Sequence, residues 1–237
     1  MRILVFDVNA DYAHFKKPYS PMSPVSYPFP PPTAVLGMLG AVLGYGKEEY
    51  HERLGWEAVK IAVRLSGPVR TYRSGLNLLN TKDGTDSRFR PLAGKNTHIQ
   101  LPFEFLKNPS YRIYVGNLPG AVHTELAEAL LAGWTRFTPS LGVAQCIADL
   151  TWAGDFDAVA ASWDEWDVDS VCPLGKPVRI IYEDRRKYHR LRVPAVMDGQ
   201  RIVHRYEEVI VVDDGRPIHG KGSMELFQLG QETIAFI

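Results

Sequence analysis

The first apolar run, Ile3-Leu4-Val5-Phe6, is bounded by Arg2 and Asp7 and is too short for a helix. Arg2 to Val8 therefore reads as a buried strand. Lys17 to Pro32 is dense in Pro, Tyr and Ser and reads as a loop. Pro31 and Pro32 block helix ahead of Thr33, which suits an N-cap, and an apolar helical pattern then runs to Leu43. Gly37, Gly40 and Gly44 recur at helical spacing. Each costs roughly 1 kcal/mol relative to Ala, which makes sense if that face packs tightly, most simply on a sheet. Val59 to Gly67 and Val69 to Leu79 read as strands. Asn80 to Asn96 is polar and basic, is broken by Gly84, Pro91 and Gly94, and reads as a long loop of the kind that is functional or mobile. His98 to Leu106 and Ser110 to Asn117 read as strands around a turn at Asn108-Pro109. Ala121 to Trp134 is the clearest amphipathic helix, and Gly142 to Gly154 returns to strand character.

This order predicts an α+β chain. Its first part, residues 1–155, follows the ferredoxin-like split βαβ order, which is also the scaffold of RNA-recognition-motif-like modules. Residues 171–237 read as a small β-rich part with turns at Asp198-Gly199 and Asp214-Gly215. A fold of this kind does not fix a function.

With 237 residues, 45% hydrophobic, the chain is large enough for a real core. It has no run of about 18 apolar residues, so no membrane span is expected. Asp7 and Asp11 break any signal-peptide pattern at the start. Cys146 and Cys172 are too few for a disulfide framework or a four-cysteine zinc site, and a reducing cytoplasm is the expected setting.

The net charge is zero, but its distribution is uneven. Nine bases lie between Arg64 and Arg112 against three acids, and nine between Lys176 and Arg205 against three. Seven acids and no Lys or Arg lie between Asp149 and Asp169. Two readings are open. One is a basic face for an anionic ligand, the other a set of solvated charges that interleave in space. The acidic stretch from Asp155, with Trp163 and Trp166, lacks the spacing of a calcium loop and reads as a solvated linker.

Most catalytic motifs are absent. Gly44 to Glu49 has Glu48 where a phosphate loop needs Ser or Thr, and it follows a helix where that motif follows a strand. The seven histidines show no zinc-ligand spacing, and no nucleophile elbow is present. Cys146 reads as a buried structural thiol. No metal or cofactor is expected. Metal-independent RNA cleavage needs a base, an acid and a cation. Tyr12, His14, Lys16, Lys17 and Tyr19 supply those types within one short segment. The same residues equally suit stacking and phosphate contact without chemistry.

Asp11 to Gly44 resembles the N-terminal signature of the CRISPR-associated Cas5 family of the RAMP superfamily. The matching features are Ala13-His14-Phe15 followed by bases, Ser26-Tyr27-Pro28-Phe29-Pro30-Pro31, and Thr33 leading into Leu36-Gly37, Leu39-Gly40 and Leu43-Gly44. Asn77 to Thr81 with the loop that follows, Thr138-Pro139-Ser140-Leu141-Gly142, and Val193-Pro194 ahead of Arg201 are also similar. The variant it is most similar to is the type I-B-like one. The resemblance implies a ferredoxin-like core with a projecting thumb loop at about residues 80–97. It also implies one copy per Cascade complex, gripping the 5′ handle of crRNA and touching the backbone and large subunits, with target DNA met only through the complex. In type I-C the corresponding member cuts precursor RNA with a Tyr and an adjacent Lys-His pair. This sequence has no Lys-His dipeptide.

Single-stranded RNA is held by aromatic faces, Arg planes and backbone cations. Tyr12, His14, Phe15, Lys16, Lys17 and Tyr19 offer that mixture, as do Arg70, Tyr72 and Arg73, and Lys82, Arg88, Phe89, Arg90 and Lys95 in the loop. A non-catalytic RNA-binding subunit is therefore the expected function. Its alternatives are a metal-independent endoribonuclease using Tyr12, His14, Lys17 and Tyr19, and a protein–protein adaptor without RNA contact.

Overall fold

The computed structural model describes residues 1–20, 24–79, 98–175 and 177–237. In chain order the first part forms β1 (Arg2–Asn9), the two-residue strands β2 (Tyr12–Ala13), β3 (Phe15–Lys16) and β4 (Ser26–Tyr27), α1 (Pro32–Leu43) and α2 (Tyr50–Leu54). It continues with β5 (Lys60–Leu65), β6 (Thr71–Leu79), β7 (His98–Lys107), β8 (Ser110–Gly116), α3 (Gly120–Ala132) and β9 (Asp149–Asp157). The remainder is β10 (Val159–Ala161), β11 (Glu165–Val168), β12 (Cys172–Pro173), β13 (Arg179–Ile180), β14 (Tyr188–Met197), β15 (Val203–Val212), β16 (Ile218–Lys221), β17 (Leu226–Leu229) and β18 (Glu232–Ile234).

The core sheet has the order β5-β8-β1-β9 and is antiparallel throughout. Helices α1 and α3 fill the β1-to-β5 and β8-to-β9 connections. This is the ferredoxin-like arrangement. The unbroken apolar run of β1 has a physical cause, because both faces of the strand are covered. Leu4, Phe6 and Val8 join the cluster that includes Leu36, Leu39 and Leu126 of the helices. Ile3 and Val5 pack with Phe227, Leu229 and Ile234 from the C-terminal strands.

Several expectations need correction. Strands β6 and β7 do not enter the core sheet. They form a hairpin that pairs from Thr71↔Leu106 to Leu79↔His98, and β2 joins its outer edge. Residues 80–97, the expected thumb loop, lie outside the described residues. Helix α1 starts at Pro32 with Pro31 as its cap residue, so Thr33 sits inside the first turn. Proline at the first helical position gives up an N–H that would have no partner there. Of the three glycines Gly40 packs on α2 and not on the sheet, since a Cβ there would lie 2.8 Å from Tyr50 Cβ, while Gly44 faces the Arg136 side chain. The strand expected from Gly142 begins only at Asp149, and the preceding residues form turns closed by a Ser140↔Ile147 bridge.

The acidic stretch is not a linker. It carries β10 and β11, and Trp166 is 3% exposed with its indole N–H donating to the Gly222 carbonyl at 2.8 Å. Its acids are tied down by distant partners. Asp155 takes Arg2 at 2.7 Å and His123 at 2.8 Å, and Asp169 accepts the Thr233 N–H at 2.8 Å. Two bases counted toward a basic face are likewise internal. Arg112 holds Asp7 through two bonds of 2.7 and 2.9 Å and Glu232 at 3.0 Å. Arg64 holds the same Glu232 at 2.5 Å and Asp169 at 3.5 Å. Among the described residues no helix is long and apolar enough to cross a membrane.

Candidate nucleic-acid interface

Beyond Asn9 the chain turns out of the core sheet and runs along the root of the β6–β7 hairpin. Pairing of Tyr12 with Lys107 and Ala13 with Leu106 fixes its register there. Tyr12 is partly exposed, with its ring 6.0 Å from Tyr72 and 6.1 Å from Phe105. Arg70, Tyr72 and Arg73 are exposed beside it at the start of β6. Arg73 contacts Glu104 across the hairpin at 3.2 Å. The structure thus unites two groups of sequence-predicted residues separated by nearly sixty positions.

The next residues point differently. His14 is 1% exposed, with its ring 4.9 Å from Phe103 and 5.8 Å from Phe105. Its backbone N–H donates to the Leu141 carbonyl at 3.0 Å, which joins the two stretches Ala13-His14-Phe15 and Thr138 to Gly142. Its Nδ1 lies 2.7 Å from the Glu104 carbonyl oxygen. A carbonyl only accepts, so Nδ1 carries the proton. Burial holds the His14 imidazole below its ordinary value of 6.5, against the raising effect of that bond. Phe15 is core, paired with Tyr27 in register. Lys16 is exposed. Lys17 sits 5.5 Å from the Tyr27 ring centroid. The Tyr27 hydroxyl donates to the Arg192 carbonyl at 2.9 Å, and burial pushes the phenol up to about 12. Tyr19 is 70% exposed. Lys82, Arg88, Phe89, Arg90 and Lys95 lie outside the described residues.

Beside this face is a cleft of about 670 Å³, lined by the His14–Pro18 segment, one face of α1, the Thr138–Val143 loop and the β14–β15 hairpin. Arg201 and Tyr206 line it from some 180 residues downstream. Sequence reasoning missed them as site residues, and the only signal was the Val193-Pro194 similarity ahead of Arg201.

A second buried imidazole, His51, is stacked on Tyr50 at 3.8 Å, and neither ring nitrogen has a partner among the described residues. Burial and the nearby Arg201 lower its pKa, while Asp198 and Glu52 oppose the shift. The sign of the linkage follows. Both His14 and His51 are held neutral in the fold, whereas the unfolded chain takes up protons below 6.5. Their contribution is complete above that pH and is lost as pH falls toward the folded-state values. The melting temperature is therefore expected to drop between about pH 7 and pH 5, and His51→Phe should flatten that drop. A pH profile unchanged by the substitution would show that His51 does not titrate in this window.

The profile of the family described as CRISPR-associated protein (Cas_Cas5) matches residues 3–206. The chain belongs to the Cas5 family. Its fold is the mixed α+β, ferredoxin-like RAMP arrangement with a β-rich region. A CRISPR protein from Archaeoglobus fulgidus superposes with a TM-score of 0.56 at 14% identity, over 99% of this chain and 98% of that one. A chain of a CRISPR RNA-guided surveillance complex gives 0.53 at 14% identity, over 91% of each. A chain of the type III-B Cmr-beta complex bound to cognate target RNA and AMPPnP gives 0.51 at 10% identity, over 92% of this chain and 86% of that one. At these identities the likeness is one of fold. No curated protein sequence matches the chain.

Proposed function

We propose that this Cas5 chain is a non-catalytic subunit of an RNA-guided CRISPR complex, in which it holds the 5′ handle of crRNA. The observation that carries the reading is the hairpin root, where the tilted rings of Tyr12 and Tyr72, 6.0 Å apart, lie beside Arg70 and Arg73. Lys16 and Lys17 follow on the same segment. Aromatic faces flanked by cations suit single-stranded RNA without a sequence-reading helix. Chains of similar fold come from a complex described as RNA-guided and from one described as bound to cognate target RNA. The backbone and large subunits would meet this chain elsewhere. Leu131, Trp134 and Phe137, at and just beyond the end of α3, are exposed apolar residues of the kind that suits a protein neighbour.

The endoribonuclease reading fares less well on geometry. A general base must reach the proton it abstracts, and His14 is buried with Nδ1 committed to Glu104. Among the described residues no hydrogen bond joins any two of Tyr12, His14, Lys17 and Tyr19. Incubation with the repeat RNA of the same locus in EDTA should return intact RNA bound to the protein. Discrete cleavage that disappears in His14→Ala would replace this reading with the endoribonuclease.

A further inference from the structure

Strands β6 and β7 carry a single acid, Glu104, and it stands directly opposite Arg73 in the ladder. A carboxylate on a face that meets a polyanion opposes binding. Glu104 nevertheless sits beside the cations of the hairpin root, and its backbone and side chain are both engaged there. Its N–H donates to the Pro24 carbonyl at 3.0 Å, and its own carbonyl accepts the His14 Nδ1–H at 2.7 Å. One carboxylate oxygen accepts the Ser26 N–H at 3.3 Å. The other accepts from Arg73 Nε and Nη2 at 3.4 and 3.2 Å.

The two carboxylate oxygens thus reach both groups of cations. Ser26 pairs in register with Lys16, and its hydroxyl accepts the Phe15 N–H at 2.9 Å, so fixing Ser26 fixes the strand that carries Lys16. Arg73 is held side-on. Its Nε and Nη2 share one oxygen, which leaves the Nη1 edge of the planar fork for an outside acceptor. The Arg73 side chain is 76% exposed and that of Glu104 16%, so an incoming phosphate meets the guanidinium before the carboxylate. A long side chain already held in its bound geometry loses less freedom on binding.

We propose that Glu104 is a positioning residue for RNA: its carboxylate presents the Arg73 guanidinium to a phosphate and locks the hairpin root to the Phe15–Lys16 strand. This role rests on the RNA-holding function proposed above. It also runs against the charge of Glu104, which gives it a testable sign. As a bare charge, Glu104 repels RNA, and removing it tightens binding. As a positioning group, its loss weakens binding even though a negative charge has gone.

Fluorescence anisotropy of the full chain with a uridine octamer, titrated at several salt concentrations, separates the two. Glu104→Gln keeps an amide oxygen for the Ser26 N–H and gives up the charge that holds Arg73. It should bind roughly three- to fivefold more weakly than the wild type. The magnitude of its salt slope should fall by up to ~0.7 as the Arg73 phosphate contact is lost. Arg73→Lys keeps the charge without the fork and should weaken binding to a similar extent, at an exposed position where folding is not at issue. In an Arg73→Ala background, Glu104→Gln should leave affinity unchanged or raise it, because the group it positions is gone. Affinity at or above the wild-type level in Glu104→Gln would overturn the role and leave Glu104 a like charge, with the RNA-holding function intact. Wild-type affinity in Arg73→Lys would overturn it as well. A loss of the same size in the Arg73→Ala background would show that Glu104 does not act through Arg73, and the role would again be wrong. Should the wild type fail to bind the octamer even at low salt, the RNA-holding function itself falls, and the role of Glu104 with it.

Discussion

Gly142→Ala is expected to lower the melting temperature of this Cas5 chain by roughly 6–12 °C, the shift that a loss of about 3 kcal/mol produces at this size. Two causes add. Gly142 holds φ at +93°, which L side chains rarely adopt, and a Cβ there would lie 1.9 Å from the His14 carbonyl oxygen and 2.7 Å from its carbon. The obstruction is backbone, so no rotamer change relieves it. The two segments must separate, and the bond from the His14 N–H to Leu141 goes with them. Gly133→Ala is the control. Gly133 also has positive φ, +68°, but nothing among the described residues lies within 4 Å of an added Cβ. Its cost should be about 1 kcal/mol, the backbone term alone. Thermal unfolding of both variants checks the account, and equal shifts would remove the close approach as the cause. Because Gly142 clamps the segment carrying Tyr12 to Tyr19, RNA affinity should fall in Gly142→Ala and hold in Gly133→Ala.

The second large effect is electrostatic. Combining Lys16→Ala, Lys17→Ala, Arg70→Ala and Arg73→Ala is expected to weaken single-stranded RNA binding by roughly a hundredfold or more at about 0.1 M salt. Each lost phosphate contact should reduce the magnitude of the salt slope by ~0.7. The loss should be similar for all RNA sequences, since phosphates carry no sequence information. Arg216→Ala serves as the charge control: like Arg73 it is an exposed arginine paired with one carboxylate, Asp214 at 2.8 Å, but it lies beside Asp169 and Ile218 and not at the hairpin root. Titrations at several salt concentrations read both quantities. A fourfold variant with unchanged affinity and slope would show that RNA does not lie along this face.

What the sequence disclosed depended on how local the signal was. Ile3 to Phe6 reads as a buried strand because both of its faces are covered, so no polar position interrupts the run. Helix α3 is legible from its own period. The role of Tyr12 to Tyr19 as one chemical segment is legible because its residues are adjacent in the chain. Charge was a poorer guide. Arg64 and Arg112 counted toward a basic stretch, yet they are spent on Asp7, Asp169 and Glu232, and pairings across more than 100 residues leave no trace in a linear count. The acidic stretch hid β10 and β11 because strands of three and four residues are too short to show alternation. Trp166, flanked by Glu165 and Asp167, gave no hint that it is core. The cleft was illegible for a similar reason, since Arg201 and Tyr206 reach His14 only through the placement of the β14–β15 hairpin.

The central claim is that this chain holds the 5′ end of a guide RNA on the hairpin root. Ultraviolet cross-linking of the assembled complex, followed by mass spectrometry of the peptides and sequencing of the attached RNA, tests it most directly. The account predicts cross-links from Tyr12, Tyr19 and Tyr72 to the repeat-derived 5′ handle. Cross-links confined to the spacer or to target DNA, or none on this chain while the handle attaches to another subunit, would contradict it.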